Sequence, residues 1–138
     1  MTFILQVDAS QLARPDSPCI ARCTTAVGDN VCRGCGRTFG EISQWCFMDA
    51  SERETVWRRL PARQWLLLLA EEASVLLQDM EMDDEGEWGV LPLDGAILRL
   101  SPRYEGVRVR VKPGPASSFP HCETPAAMLQ QLRHWLAQ

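Results

Sequence analysis

Gly106-Val-Arg-Val-Arg-Val-Lys112 is the stretch that decides the fold class. Apolar and basic residues alternate with period two, the repeat of a strand with one face buried. Val107, Val109 and Val111 share one side; Arg108, Arg110 and Lys112 share the other. Just upstream, Ala96, Leu98 and Leu100 alternate with Ile97, Arg99 and Ser101. Leu93-Asp-Gly-Ala96 and Pro102-Arg-Tyr-Glu-Gly106 are turn-like. Trp88 to Lys112 therefore reads as a three-stranded antiparallel meander.

Outward from this sheet the periodicity changes. Downstream, Pro113 to Pro120 reads as loop. Thr124-Pro125 is a cap followed by a first-turn proline, and Met128, Leu132, Trp135 and Leu136 line one face of a terminal helix. Upstream, Glu71 to Glu87 holds eight acids and no base, and Asp83-Asp-Glu-Gly-Glu87 reads as a linker or exposed loop. Before it, Trp65, Leu66, Leu69, Ala73, Leu76 and Leu77 recur at helical spacing and predict a buried helix over about 62–80. Pro61 would open that helix. A shorter helix over about 52–60 would start from a capping box, Ser51-Glu-Arg-Glu54.

The fold class is thus α+β: an irregular four-cysteine metal-binding module, helices, a small three-stranded antiparallel sheet and a C-terminal helix. Residues 1–60 hold the cysteine module, after a short apolar strand within 1–14. Residues 61–138 hold the long helix, sheet and terminal helix, packed with the first part as one body. At 138 residues, with 46 % apolar and 23 % charged residues, the composition suits a globular domain. The longest apolar run, Trp65 to Ala70, is too short to span a bilayer. The first residues, Met1-Thr-Phe-Ile-Leu-Gln-Val-Asp8, lack the basic start and long apolar core of a signal peptide, so a cytoplasmic chain is expected.

Cytoplasmic thiols are kept reduced, so clustered cysteines point to metal or redox chemistry. Of six cysteines, four fall in the order Cys19-x3-Cys23-x8-Cys32-x2-Cys35. One helical turn would put the sulfurs of Cys19 and Cys23 on the same side. Cys32-Arg-Gly-Cys35-Gly36 is a knuckle whose glycines let the backbone turn and aim amides at the sulfurs. Four thiolates suit tetrahedral zinc or one iron–sulfur cluster, and the spacing leaves the choice open. The segment has too few apolar residues for its own core, so the metal centre would supply its folding energy.

Ser17-Pro-Cys19, Cys23, Cys32-Arg-Gly-Cys-Gly-Arg-Thr38, Glu41-Ile42, Trp45, Met48 and Glu52-Arg53 together resemble the YdhL-like family of small bacterial proteins. That family is labelled as predicted iron–sulfur proteins without assigned function. The resemblance covers about residues 17–60. It implies a four-cysteine metal site at Cys19, Cys23, Cys32 and Cys35.

The remaining candidates are bland. Cys46 reads as a buried small side chain. His121-Cys122 lies in a proline-rich loop, and two ligands make no closed site. His134 reads as a solvated helix residue; Glu41, Glu52 and Glu54 read as caps and surface charges. No phosphate loop, Ser/His/Asp set or dinucleotide fingerprint is present, so catalysis is not expected. Charge offers one more surface. The chain has 14 basic and 18 acidic residues, net −4, which excludes a uniformly basic nucleic-acid coat protein. Yet Arg99 to Lys112 holds five bases against one acid. Arg99, Arg108, Arg110 and Lys112 are expected as an exposed ladder for an acidic partner, with the acidic loop at Asp83–Glu87 the alternative cover. The function expected is a small metal-binding accessory protein whose four-cysteine site presents a surface to another protein. Iron–sulfur electron transfer and zinc-dependent nucleic-acid binding are the alternatives, and no membrane is involved.

Overall fold

The fold comes from a computed structural model that describes residues 16–20, 23–111 and 114–138. The strand expected within 1–14 and Lys112 lie outside the described residues. Three helices and a five-stranded sheet make up the α+β architecture: α1 (Phe39–Gln44), α2 (Ala50–Glu72), β1 (Asp79–Asp83), β2 (Gly86–Leu93), β3 (Ala96–Pro102), β4 (Val107–Val111), β5 (Ala116–Phe119) and α3 (Pro125–Leu136). The strands lie in chain order, each antiparallel to its neighbour.

The meander is larger than its alternation suggests. Asp79–Asp83, between the end of the expected helix and the expected acidic loop, forms β1, Asp83–Glu87 holds the turn into β2, and Ala116–Phe119, expected as loop, adds β5. In β1, Met80 turns toward the core while Glu81 lies opposite Trp88. Like charges along β1 are tolerated because Arg99 of β3 and Arg110 of β4 reach past β2 to Glu81 and Asp83. The Asp94-Gly95 turn has left-handed backbone at both residues, φ 50° and 85°. That is the conformation a two-residue hairpin needs and that Asp-Gly supplies.

The two expected helices over 52–60 and 62–80 are one helix, α2, with Pro61 inside it. Pro61 is exposed, so the helix gives up one backbone hydrogen bond on its solvent side. The cap is Asp49, not Ser51: Asp49 Oδ1 accepts from the Glu52 amide at 2.8 Å and Glu52 Oε1 from the Asp49 amide at 2.9 Å. Glu54 pairs with Arg58 instead. The helix ends at Glu72, and Ser74 takes a left-handed backbone, φ 57°. Leu77 still enters the core, but from the connection to β1; Leu76 is exposed.

One sheet face carries Leu91, Leu93, Leu98, Leu100, Val107 and Val109, all buried. Leu66 and Leu69 of α2 and Met128, Leu129 and Leu132 of α3 cover it, with Val31 of the cysteine segment in the same cluster. Gly89 makes the close approach possible, because a Cβ there would stand 2.6 Å from the Leu66 Cδ1 atom. A second, smaller cluster of Trp45, Val56 and Leu60 lies on the N-terminal half of α2.

Candidate metal centre

The cysteine segment holds little regular structure and is organised by hydrogen bonds. An isolated bridge joins Val31 to Thr38 and closes the loop between them. Within it the Cys32 amide donates to the Arg37 carbonyl at 2.9 Å and the Gly36 amide to the Cys32 carbonyl at 2.8 Å. This puts Cys32 and Cys35 side by side, both buried. The Gly34 amide donates to the Cys32 sulfur at 3.3 Å. Burial pushes the Cys32 thiol up, but the amides of Cys35, Thr24 and Gly34 and the Cys35 side chain outweigh it, and its pKa falls to about 7. Burial pushes the Cys35 thiol up, against the side chain and amide of Arg37. The Arg37 Nε donates to the Cys35 sulfur at 3.3 Å.

A 3₁₀ turn, Thr24–Val27, carries the other side of the segment. The Thr24 hydroxyl accepts from the Arg33 amide at 2.8 Å and ties this turn to the knuckle. Cys23 is exposed, with its sulfur 3.0 Å from the Thr25 hydroxyl. Cys19 is also exposed, and its amide donates to the Ser17 hydroxyl at 3.1 Å. Among the described residues no three His, Cys, Asp or Glu side chains are grouped as a metal ion would need. Of the four expected ligands, Cys32 and Cys35 are buried and Cys19 and Cys23 are exposed.

Arg63 ties this module to the rest of the fold, and nothing in the sequence pattern flagged it. It sits on α2 with its side chain 1 % exposed. Its Nε and one terminal nitrogen bond the two Glu87 oxygens of β2 at 3.0 and 2.7 Å. The terminal nitrogens also bond the two Glu41 oxygens of α1 at 2.5 and 2.9 Å and the Gly36 carbonyl at 3.2 Å. All five guanidinium N–H groups are thereby used. Glu41 also completes the Thr38 capping box of α1, as cap reasoning expects. Burial would push its carboxyl up, but Arg63, the Thr38 amide and the Arg59 charge hold it below the usual carboxylate range.

The basic ladder is not the open surface expected. Arg99 pairs with Glu81 at 2.8 Å, Arg110 with Asp83 at 3.5 Å, and Arg108 with Glu85. The guanidinium of Arg110 stands 4.2 Å from the Trp88 ring centroid, with those of Arg103 and Arg108 at 5.7 and 5.8 Å. Under this cover Trp88 is buried, and its indole N–H donates to Asp83 at 2.9 Å. That bond, with the Glu85 and Gly86 amides and the Arg110 charge, holds the Asp83 carboxyl below its ordinary value. The acidic strand and turn cover the ladder because Glu81, Asp83 and Glu85 attract arginines of β3 and β4 beside the Trp88 ring of β2, where like charges would repel. Cys46, expected inside, is exposed. His121 lies in an exposed loop with a ring nitrogen 2.5 Å from the Arg103 carbonyl, away from any grouped ligand set.

Residues 17–64 match the family described as "Protein of unknown function (DUF1289)". The match contains Cys19, Cys23, Cys32 and Cys35 and stops one residue after Arg63. No curated protein and no solved structure matches the chain. No helix among the described residues is long and apolar enough to cross a membrane.

Proposed function

We propose that this chain is a cytoplasmic metal-binding accessory protein whose thiolates Cys19, Cys23, Cys32 and Cys35 hold zinc or an iron–sulfur cluster. The observation that carries this reading is the knuckle: backbone N–H groups converge on the Cys32 sulfur and Arg37 on that of Cys35. Amides aimed at sulfur stabilise thiolate, the form that ligates metal. Cys19 and Cys23 would complete the set from the exposed side. Four protein ligands close the coordination shell, so the role is structural and the protein is not an enzyme in its own right. Large apolar side chains stand exposed on the same module: Ile20, Val27, Phe39 and Phe47. A groove of about 690 Å³ runs between the cysteine segment, at Thr24 and Gly34, and Leu67, Leu68 and Leu76. Exposed apolar surface beside a rigid module suits a protein partner.

The test is elemental analysis with absorption spectra of anaerobically purified protein. One zinc per chain, lost in Cys19→Ser and Cys35→Ser but kept in Cys46→Ser, supports the structural reading. A brown preparation whose absorption bleaches on reduction favours the second reading, an electron-transfer or iron–sulfur accessory protein. Full-length protein that binds neither metal when reduced refutes both. Pairing of the ladder arginines inside the chain weighs against nucleic-acid binding.

A further inference from the structure

Arg37 is buried, 5 % exposed, and among the described residues no carboxylate lies within ion-pair distance of its guanidinium. A buried cation without an anion is costly. Arg63, the other arginine buried among the described residues, has two carboxylates. What Arg37 has is sulfur, through its Nε at 3.3 Å from Cys35, and the Trp45 ring, 4.8 Å below its guanidinium carbon. Trp45 is itself fixed: its indole N–H donates to the Asp16 carbonyl at 2.8 Å, three residues before Cys19. The stack therefore orients a cation at the sulfur end of the knuckle.

Four thiolates on a divalent metal leave an excess of two negative charges, and so does an iron–sulfur centre with four thiolates in its commonest oxidation state. We infer that Arg37 is the counter-charge and side-chain N–H···S donor of the thiolate centre, a positioning residue that sets metal affinity through Cys35. The inference rests on the metal reading proposed above. Hydrogen bonds to ligand sulfur and the charge around a centre tune affinity and electronic structure, and losing such an outer contact typically lowers affinity about 10–100-fold.

The experiment compares full-length wild type, Arg37→Met, Arg37→Lys and Arg53→Met. Arg53 is the control, since its guanidinium also stacks on Trp45, at 5.4 Å, with its Nε bonded to the Trp45 carbonyl rather than to sulfur. Zinc affinity is read by competition with a chromophoric chelator, and the cobalt-substituted proteins give the thiolate-to-metal charge-transfer band. Arg37→Met should bind zinc about 10–100-fold more weakly and shift that band to lower energy. Arg37→Lys, which keeps the charge, should recover part of the affinity, and Arg53→Met should match wild type. Wild-type affinity and an unshifted band in Arg37→Met overturn the inference. So does an equal loss in Arg53→Met, which would make the effect one of packing on Trp45. A lysine variant no better than methionine overturns the counter-charge. Wild type that binds neither zinc nor cobalt overturns the metal reading itself.

Discussion

Arg63→Met removes the cation that joins the cysteine segment, α1, α2 and the sheet. The side chain that replaces it fills similar volume, so the main loss is electrostatic. Five hydrogen bonds vanish, and Glu41 and Glu87, 14 % and 17 % exposed, lose their shared cation, Glu41 keeping the Thr38 amide and Arg59 at 3.9 Å. Breaking a buried pair from one side costs about 3–5 kcal/mol, a large part of the roughly 5–15 kcal/mol that stabilises a domain. The pH dependence carries the sharper signature. In wild type the Glu41 carboxyl is held below its ordinary value. Its contribution is therefore present above the unfolded pKa near 4.5 and is lost as pH falls through the lower folded value. Without Arg63 only the Thr38 amide and the Arg59 charge oppose burial, so the folded value is expected to rise from its wild-type level. The variant is then penalised most at neutral pH and relieved on acidification. Denaturant unfolding at pH 7 and pH 5 reads both effects. We expect the gap between wild type and variant to narrow at pH 5, and Glu41→Gln with Glu87→Gln to rescue Arg63→Met at pH 7. A loss under about 1 kcal/mol at pH 7, or a gap independent of pH, refutes the reasoning.

Reversing Arg108 and Arg110 to Glu should destabilise by about 1–3 kcal/mol, because Trp88 loses two of its covering cations and Asp83 and Glu85 gain like-charged neighbours; an unchanged thermal midpoint would show that the ladder is independent of the hairpin. Gly89→Ala should cost about 1–3 kcal/mol by pushing Leu66 and Leu77 off β2, measured by denaturant unfolding, with no loss as the contrary result. Leu69→Ala should cost about 2–5 kcal/mol, since Leu69 is fully buried under the sheet. With Val31 in the same core as α2 and the sheet, thermal unfolding should show one transition, and limited proteolysis yielding two stable, separate pieces would refute the single body expected of residues 1–60 and 61–138.

Local patterns were sufficient where the determining interaction is local. The alternation at Val107–Val111, the Asp94-Gly95 turn and the Thr124-Pro125 helix start all rest on backbone preference and side-chain period, which a chain carries in any context. The Cys32-Arg-Gly-Cys35 knuckle belongs with them, because its amides reach the sulfur within one turn. Local signals misled where two of them competed. Ser51 and Asp49 can each cap a helix, and Asp49 does so, with Glu52 reaching back to its amide. Pro61 reads as a helix start, but the apolar stripe on both sides of it runs on one helix whose solvent face tolerates the missing bond.

What only the tertiary structure decided is where charges meet. Arg63 is 24 residues from Glu87 and 22 from Glu41, and Arg110 is 27 from Asp83. No spacing rule joins such positions; sheet register and helix packing bring them together. The acidic stretch therefore reads as a solvated linker in the sequence and becomes a strand in the fold. A run of like charges is stable as β1 once arginines of β3 and β4 stand beside it, and their placement is fixed by the register of the whole meander rather than by the stretch itself.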